Sequence, residues 1–312
     1  MCFGGLKLKK VIITGATGMI GVHLINEMIE RSIQVVAIIR ENSKRIHNIP
    51  HSSLIKVVEC SLKNIKDLEL DSNDFDVWYH LAWDGTFGES RNDEEIQKKN
   101  LEYLLDAVRV SKKYGCKKFI GVGSQAEYGR VNGVITSKTY ENPENFYGKY
   151  KLIAGIESRK LSHEIGMTHT WIRLFSAYGP YDGENTMIMT SIREMSIGES
   201  PEYTPGGQNW DYIYAKDVAK ALYLAGINTC DKTYCLASGD TRKLKDYIEI
   251  IRDKINPSIN LKLGAKPYAK NQVMNLNVDI SDIKKDLNFN IKYSFENGIE
   301  ETIDWYRRKY KK

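Results

Sequence analysis

The chain has 312 residues, 42% of them hydrophobic and 27% charged, with a formal net charge of +5. That length supports a sizeable core in one large domain or two, and a modest positive charge spread along the chain suits an anionic small molecule without demanding nucleic acid. No apolar run reaches membrane-spanning length and no signal-peptide core precedes the first strand, so no membrane association is expected. The five cysteines, Cys2, Cys60, Cys116, Cys230 and Cys235, make no C-x-x-C pair and no metal-ligand spacing. They read as reduced thiols of a cytoplasmic protein with no metal site. Cys2 sits in a short leader, residues 1–6.

Val11-Ile12-Ile13 is a short β-branched run and reads as a buried parallel strand. Thr14-Gly15-Ala16-Thr17-Gly18-Met19-Ile20-Gly21 follows at once, and then a helical period with Ile20, Leu24, Ile25, Met28 and Ile29 on one side. Glycines between a strand and a helix suit a dinucleotide. Gly15 allows the tight turn, Gly18 lets backbone N–H groups approach a pyrophosphate, and Gly21 lets the helix pack on the strand. Gly15, Thr17, Gly18, Met19 and Ile20 are therefore the candidate pyrophosphate contacts. The second strand, residues 34–39, ends in Arg40, with Ser43, Lys44 and Arg45 behind it and Glu41 the one acid nearby. An NAD site commonly has an acid there, whereas an arginine accommodates a 2′-phosphate. The basic strand end favours NADP(H), with NAD(H) as the alternative.

A third strand is expected at 54–59 and a fourth at 75–82, running into Trp83-Asp84-Gly85-Thr86. Strand ends of this kind lie at the carboxyl edge of a parallel sheet, where ligands bind. Leu81 and Ala82 are candidate cofactor contacts. His80 reads as a packed strand residue rather than a base. Residues 94–114 have a helical period with Leu101, Leu104, Leu105 and Val108 as the apolar stripe. The fifth strand, 119–123, leads into Ser124-Gln125-Ala126-Glu127-Tyr128-Gly129. A helix at 146–163, a sixth strand at 170–175 and a segment Ser176-Ala177-Tyr178-Gly179-Pro180 follow. Strands alternating with helices specify an α/β fold with a doubly wound parallel sheet, Rossmann-type. The pattern then breaks over 181–209 around one helix at 187–197. Residues 208–214 return to strand character, 217–225 are helical, and further helices are expected at 244–255 and 295–308. These shifts divide the chain into an NAD(P)-binding domain at 7–180, with a returning segment at 210–237, and a smaller C-terminal α/β substrate lobe made of 181–209 and 238–312.

Tyr147 and Lys151 lie four residues apart on the expected helix and so share a face. An ammonium beside a phenol favours the phenolate, which predicts a tyrosine with a lowered pKa that can exchange a proton near neutral pH.

These residues resemble a known family, the extended short-chain dehydrogenases/reductases that act on nucleotide sugars. The resemblance spans nearly the whole chain. It rests on T-G-A-T-G-M-I-G at 14–21, H-L-A at 80–82, Ser124 with Tyr128-Gly129, Y-G-K-Y-K at 147–151, R-L-F-S-A-Y-G-P at 173–180, D-Y-I-Y-A-K-D-V-A at 211–219 and D-W-Y at 304–306. It implies a Ser124/Tyr147/Lys151 active site. Tyr147 would exchange a proton with a sugar oxygen, Lys151 would hold the nicotinamide ribose, and Ser124 would hydrogen-bond the same sugar oxygen. Trp83, Ser124, Gln125, Ser176 and Trp210 are the substrate-contact candidates. The resemblance also implies a homodimer through the helices at 94–114 and 146–163.

The chain departs from the family at informative positions. Dehydratases of the family carry Thr-Asp-Glu where this chain has Ser124-Gln125-Ala126, so neither the acid nor the base for elimination of water is present. The cysteine and histidine of the GDP-fucose epimerase/reductases are missing near Ala126 and Tyr181. What remains is redox at one carbon. The expected activity is NADPH-dependent reduction of a nucleotide-linked 4-keto-6-deoxy sugar. An NAD-dependent 4-epimerase is the alternative, and a non-catalytic cofactor-sensing protein is a third reading. Trp210 stands where many relatives carry a diphosphate-binding arginine, and Ser176 where many carry asparagine. The diphosphate clamp is left to Arg193 or Lys262.

Overall fold

The structure, a computed structural model, describes residues 5–310; residues 1–4 of the expected leader over 1–6, with Cys2, lie outside the described residues. The elements in chain order begin β1 (Lys10–Thr14), α1 (Met19–Ile29), β2 (Gln34–Ile39), β3 (Ile55–Glu59), β4 (Val77–His80), α2 (Glu94–Lys113), β5 (Lys118–Ser124), β6 (Val134–Ile135), α3 (Phe146–Glu164) and β7 (Thr168–Leu174). They continue with β8 (Ser176–Tyr178), α4 (Met187–Met195), β9 (Asn209–Trp210), β10 (Tyr212–Tyr214), α5 (Ala215–Ile227), β11 (Thr233–Leu236), β12 (Arg242–Lys243), α6 (Leu244–Ile255), β13 (Asn277–Val278), α7 (Ser281–Leu287) and α8 (Phe295–Tyr310).

Seven strands form one parallel sheet in the order β11-β7-β5-β4-β1-β2-β3. The apolar runs of β1 and β2 are continuous because both faces of the sheet are covered. Val11 and Ile13 join Leu24, Ile25, Val35 and Leu222 under α1 and α5. Ile12, between them, joins Val36, Trp78, Leu104 and Phe119 under α2. That period of two divides the core into two layers. The chain leaves β1 toward β2 on one side, and β4 takes the other. The crevice between these directions is where a doubly wound sheet binds ligands.

Past β8 the chain builds a different kind of structure. Ile188, Ile192, Ile251 and Ile299 of α4, α6 and α8 surround an aromatic cluster of Tyr178, Tyr203, Tyr214, Tyr247 and Phe295. Small two-stranded pairings, β8 with β10, β9 with β12 and β6 with β13, stitch this lobe to the main sheet. The single strand expected at 208–214 is interrupted at Asp211. Its buried carboxylate accepts hydrogen bonds from the backbone N–H groups of Ser238 and Gly239 and from the Ser238 hydroxyl, at 2.7–2.8 Å. The seventh strand, β11, is only four residues long and α7 only seven, and neither shows a period long enough to read. Cys60, Cys116 and Cys235 are free thiols, as expected, but Cys230 is disulfide-bonded, which corrects the expectation of reduced thiols throughout.

Candidate active site

The β1–α1 turn is built by backbone approach. Gly15 has φ of +71°, and a side chain there would meet the Ala82 nitrogen at 2.8 Å and the Leu81 carbonyl carbon at 2.9 Å. The turn and the end of β4 are thus held in direct contact, with Leu81 N–H donating to the Thr14 carbonyl at 3.3 Å and Ala82 N–H to Thr14 Oγ1 at 3.4 Å. Gly21 packs against the Gly15 carbonyl and Ala16, which seats α1 on the strand. Gly18, the N-cap, has ordinary extended backbone, offers no side-chain cap, and is followed by no acid in the first turn. The first N–H groups of α1, at Met19 and Ile20, are therefore left for an anion, and the helix dipole favours one there. Asn48 steadies the turn by donating to the Thr17 carbonyl at 3.2 Å. These features fit a dinucleotide pyrophosphate.

At the end of β2, the Arg40 side chain is 74% exposed, and its nearest acid is Asp84 at 3.7 Å, itself 52% exposed. A pair so exposed holds little energy, ~0–1 kcal/mol, so Arg40 remains available to a ligand. Glu41 faces the other way and accepts the Ser61 N–H at 3.2 Å. The basic residue, rather than the acid, thus turns toward the loop that follows β4.

Ser124, Tyr147 and Lys151 converge at the carboxyl end of β5. Ser124 caps the 3₁₀ turn Gln125–Glu127, accepting the Ala126 N–H at 3.2 Å. Gly148 lets α3 settle directly on the Ala126 carbonyl, and this brings Tyr147 to the Ser124 side of the corner, where the serine hydroxyl acts to lower the phenol's pKa. One turn on, Lys151 Nζ donates to the Val122 carbonyl at 2.7 Å. The floor of the site is a buried ion pair. Arg173 Nε donates to Glu127 at 2.6 Å, Trp171 Nε1 donates to the same carboxylate at 3.1 Å, and the Ser124 N–H does so at 2.8 Å. Two buried charges that satisfy one another fix the backbone of the turn carrying Ser124.

The electrostatics correct one expectation. Tyr147 is not lowered by Lys151: burial raises its pKa, Glu127 adds to the rise, and the opposing effects are the Ser124 hydrogen bond and the charge of Arg91. Lys151 Nζ sits 3.8 Å from the centre of a Trp83 ring and 5.9 Å from the Tyr147 ring. Burial pulls Lys151 down to about 7, partly opposed by Glu127. A phenol and a hydroxyl paired in this way can hold a carbonyl or alcohol oxygen and pass it a proton.

Trp83 joins this cluster, its ring edge-on to Tyr147 at 6.5 Å and its Nε1 donating to Gln97 at 2.7 Å. Gln125 belongs to the turn itself. Ser176 lies two residues beyond Leu174, which pairs with Ser124 across the sheet, and so borders the same edge. Trp210 pairs with Arg242 in β9–β12, and its buried Nε1 has no hydrogen-bond partner among the described residues. Arg193 donates to the Glu184 carbonyl at 3.0 Å, and the Lys262 backbone bonds to Ser200 and Tyr203. His80 is packed in the sheet as expected, its Nδ1 3.2 Å from Thr14 Oγ1, and burial lowers it to about 3. Arg91 was not legible in the sequence: it lies in a 3₁₀ turn, Gly88–Asn92, inside a glycine-containing loop with no period.

A family model described as the NAD dependent epimerase/dehydratase family matches residues 11–234. CDP-abequose synthase of Salmonella muenchen is 22% identical over 95% of this chain and 97% of its own length. Among solved structures, UDP-N-acetylglucosamine 4-epimerase from Methanobrevibacter ruminantium M1 superposes with a TM-score of 0.88 at 24% identity, over 97% of this chain and 100% of that one. UDP-glucuronic acid 4-epimerase from Bacillus cereus in complex with NAD does so with a TM-score of 0.83 at 21% identity, over 97% and 98%. The structural likenesses give the fold, a Rossmann-type parallel sheet with a second, smaller lobe. With the family model spanning most of the chain, this protein belongs to the NAD dependent epimerase/dehydratase family.

Proposed function

We propose that the chain is an NADPH-dependent nucleotide-sugar 4-ketoreductase, acting on a nucleotide-linked 4-keto-6-deoxy sugar. The observation that carries this choice is the exposed Arg40 at the end of β2, with Glu41 turned away toward Ser61. A guanidinium there suits a 2′-phosphate. Gln125 and Ala126 supply neither the acid nor the base that elimination of water needs, so redox at C4 is what the corner can support. NADPH, when bound, supplies the hydride. Ser124 would hydrogen-bond the sugar C4 oxygen, Tyr147 would give that oxygen its proton, and Lys151, which donates to the Val122 carbonyl, would hold the nicotinamide ribose. Leu81 and Ala82 line the cofactor, while Trp83, Gln125, Ser176 and Trp210 contact the sugar nucleotide.

A second reading, an NAD-dependent 4-epimerase, is favoured by the names of the two solved neighbours, both 4-epimerases. Denaturing the purified protein and identifying the released nucleotide separates the two. NADP(H), or nothing, supports the reductase; stoichiometric NAD supports the epimerase. We also propose a homodimer through α2 and α3, which pack side by side and leave Ile156 57% exposed on α3. A monomeric mass by light scattering would contradict it.

A further inference from the structure

We propose that Arg91 is a positioning residue for Tyr147, holding its ring and stabilising its phenolate. The guanidinium carbon of Arg91 lies 4.3 Å from the centre of the Tyr147 ring. That is well inside the range of a cation–π contact, and the partner ring becomes richer in electrons as its hydroxyl ionises. Nη1 donates to the Thr86 carbonyl at 3.4 Å, and among the described residues no ion pair competes for the charge.

The turn bearing Arg91 is held from below rather than left as a loose loop. Gln97, fully buried on α2, donates through Nε2 to the carbonyls of Gly85 (3.0 Å) and Ser90 (2.9 Å) and accepts from Trp83 Nε1. Asn100 does the same for Asp84, accepting its N–H at 2.9 Å and donating to its carbonyl at 2.8 Å. Two amide side chains thus tie both Trp83 and the Arg91 turn to one helix, and Tyr147 is enclosed between them.

The charged and titratable groups around Tyr147 make the need for this cation clear. Ser124 and Glu127 face it from the end of β5, Lys151 stands on its own helix, and Arg91 comes from the 88–92 turn. Glu127 opposes the phenolate, as burial does. Lys151 is drawn away to Val122 and the Trp83 ring. Arg91 is the cation stacked on the phenol. The inference rests on Tyr147 being the proton carrier proposed above.

The test is a titration of the Tyr147 Cζ resonance in carbon-13-labelled protein, assigned with Tyr147→Phe, in the wild type, Arg91→Met and Arg91→Lys. Arg91 lies at the surface of the site and its replacement leaves the core untouched. Loss of the cation raises the pKa, so Arg91→Met should titrate about half a unit to one unit higher than the wild type. Arg91→Lys should recover most of that shift. The limb of the pH–rate profile for sugar oxidation that needs the phenolate should move by the same amount. An unchanged Tyr147 titration in Arg91→Met, alongside inactive Tyr147→Phe, overturns the inference and leaves the functional reading standing. Full activity in Tyr147→Phe overturns both.

Discussion

The β1–α1 turn and the β5–α3 corner are the two halves of the candidate site, yet they are made differently. The turn is made by backbone. Gly15 is required by its φ and by its contact with Leu81 and Ala82, and Gly21 by its contact with Gly15 and Ala16. The corner is made by side chains drawn from β5, α3, β7 and the 83–92 loop, held by the Glu127–Arg173 pair beneath and Gln97 beside. A backbone-built site tolerates few residue types and so leaves a motif. A side-chain-built site depends on which elements meet in space.

The largest expected effect strikes the corner alone. Tyr147→Phe should lower turnover by roughly 10²–10⁴-fold, the usual worth of a placed proton donor, and leave cofactor affinity unchanged, as read by steady-state kinetics and calorimetric titration. If affinity falls equally, the two regions are not separable. Glu127→Ala should cost about 3–5 kcal/mol of unfolding free energy in a denaturant melt, because Arg173 Nε, Trp171 Nε1 and the Ser124 N–H lose their buried acceptor and Arg173 keeps only the part-exposed Glu141 as ion-pair partner. A cost within ~0.5 kcal/mol would mean the floor of the corner is not held by that pair. On the nucleotide side, Arg40→Ala should weaken NADPH roughly 10–100-fold, the worth of a charged hydrogen bond, and leave NADH unchanged.

A further prediction concerns pH. Burial lowers Lys151 to about 7 in the folded chain against an ordinary 10.5. Between those values the unfolded chain binds the extra proton, so stability rises with pH across that window. Lys151→Met should be the more stable protein near pH 7, with its advantage shrinking toward pH 10 in paired thermal melts. An advantage that grows with pH would contradict the assignment.

Much of this was legible in the sequence because it follows from periodicity. The apolar runs of β1 and β2, the stripe of α2 and the bounds of α6 at 244–255 all stand as read. The Tyr147–Lys151 spacing placed both residues on one helix face, but not what each would touch. Lys151 turns to Val122 and Trp83 because those groups come from other elements, and no spacing within α3 could reveal them. Arg91 was missed for the same reason. The substrate lobe was least legible: its strands are two or three residues long, and Asp211 splits one of them by binding a distant turn.

The central claim is reduction at one carbon by an NADPH-linked tyrosine. It is tested most directly by mixing purified protein with NADPH and a nucleotide-linked 4-keto-6-deoxy sugar and following the loss of NADPH absorbance. The account predicts stoichiometric oxidation of NADPH by the wild type and none by Tyr147→Phe. Interconversion of two nucleotide sugars with no added cofactor, and no NADPH consumed, would contradict it.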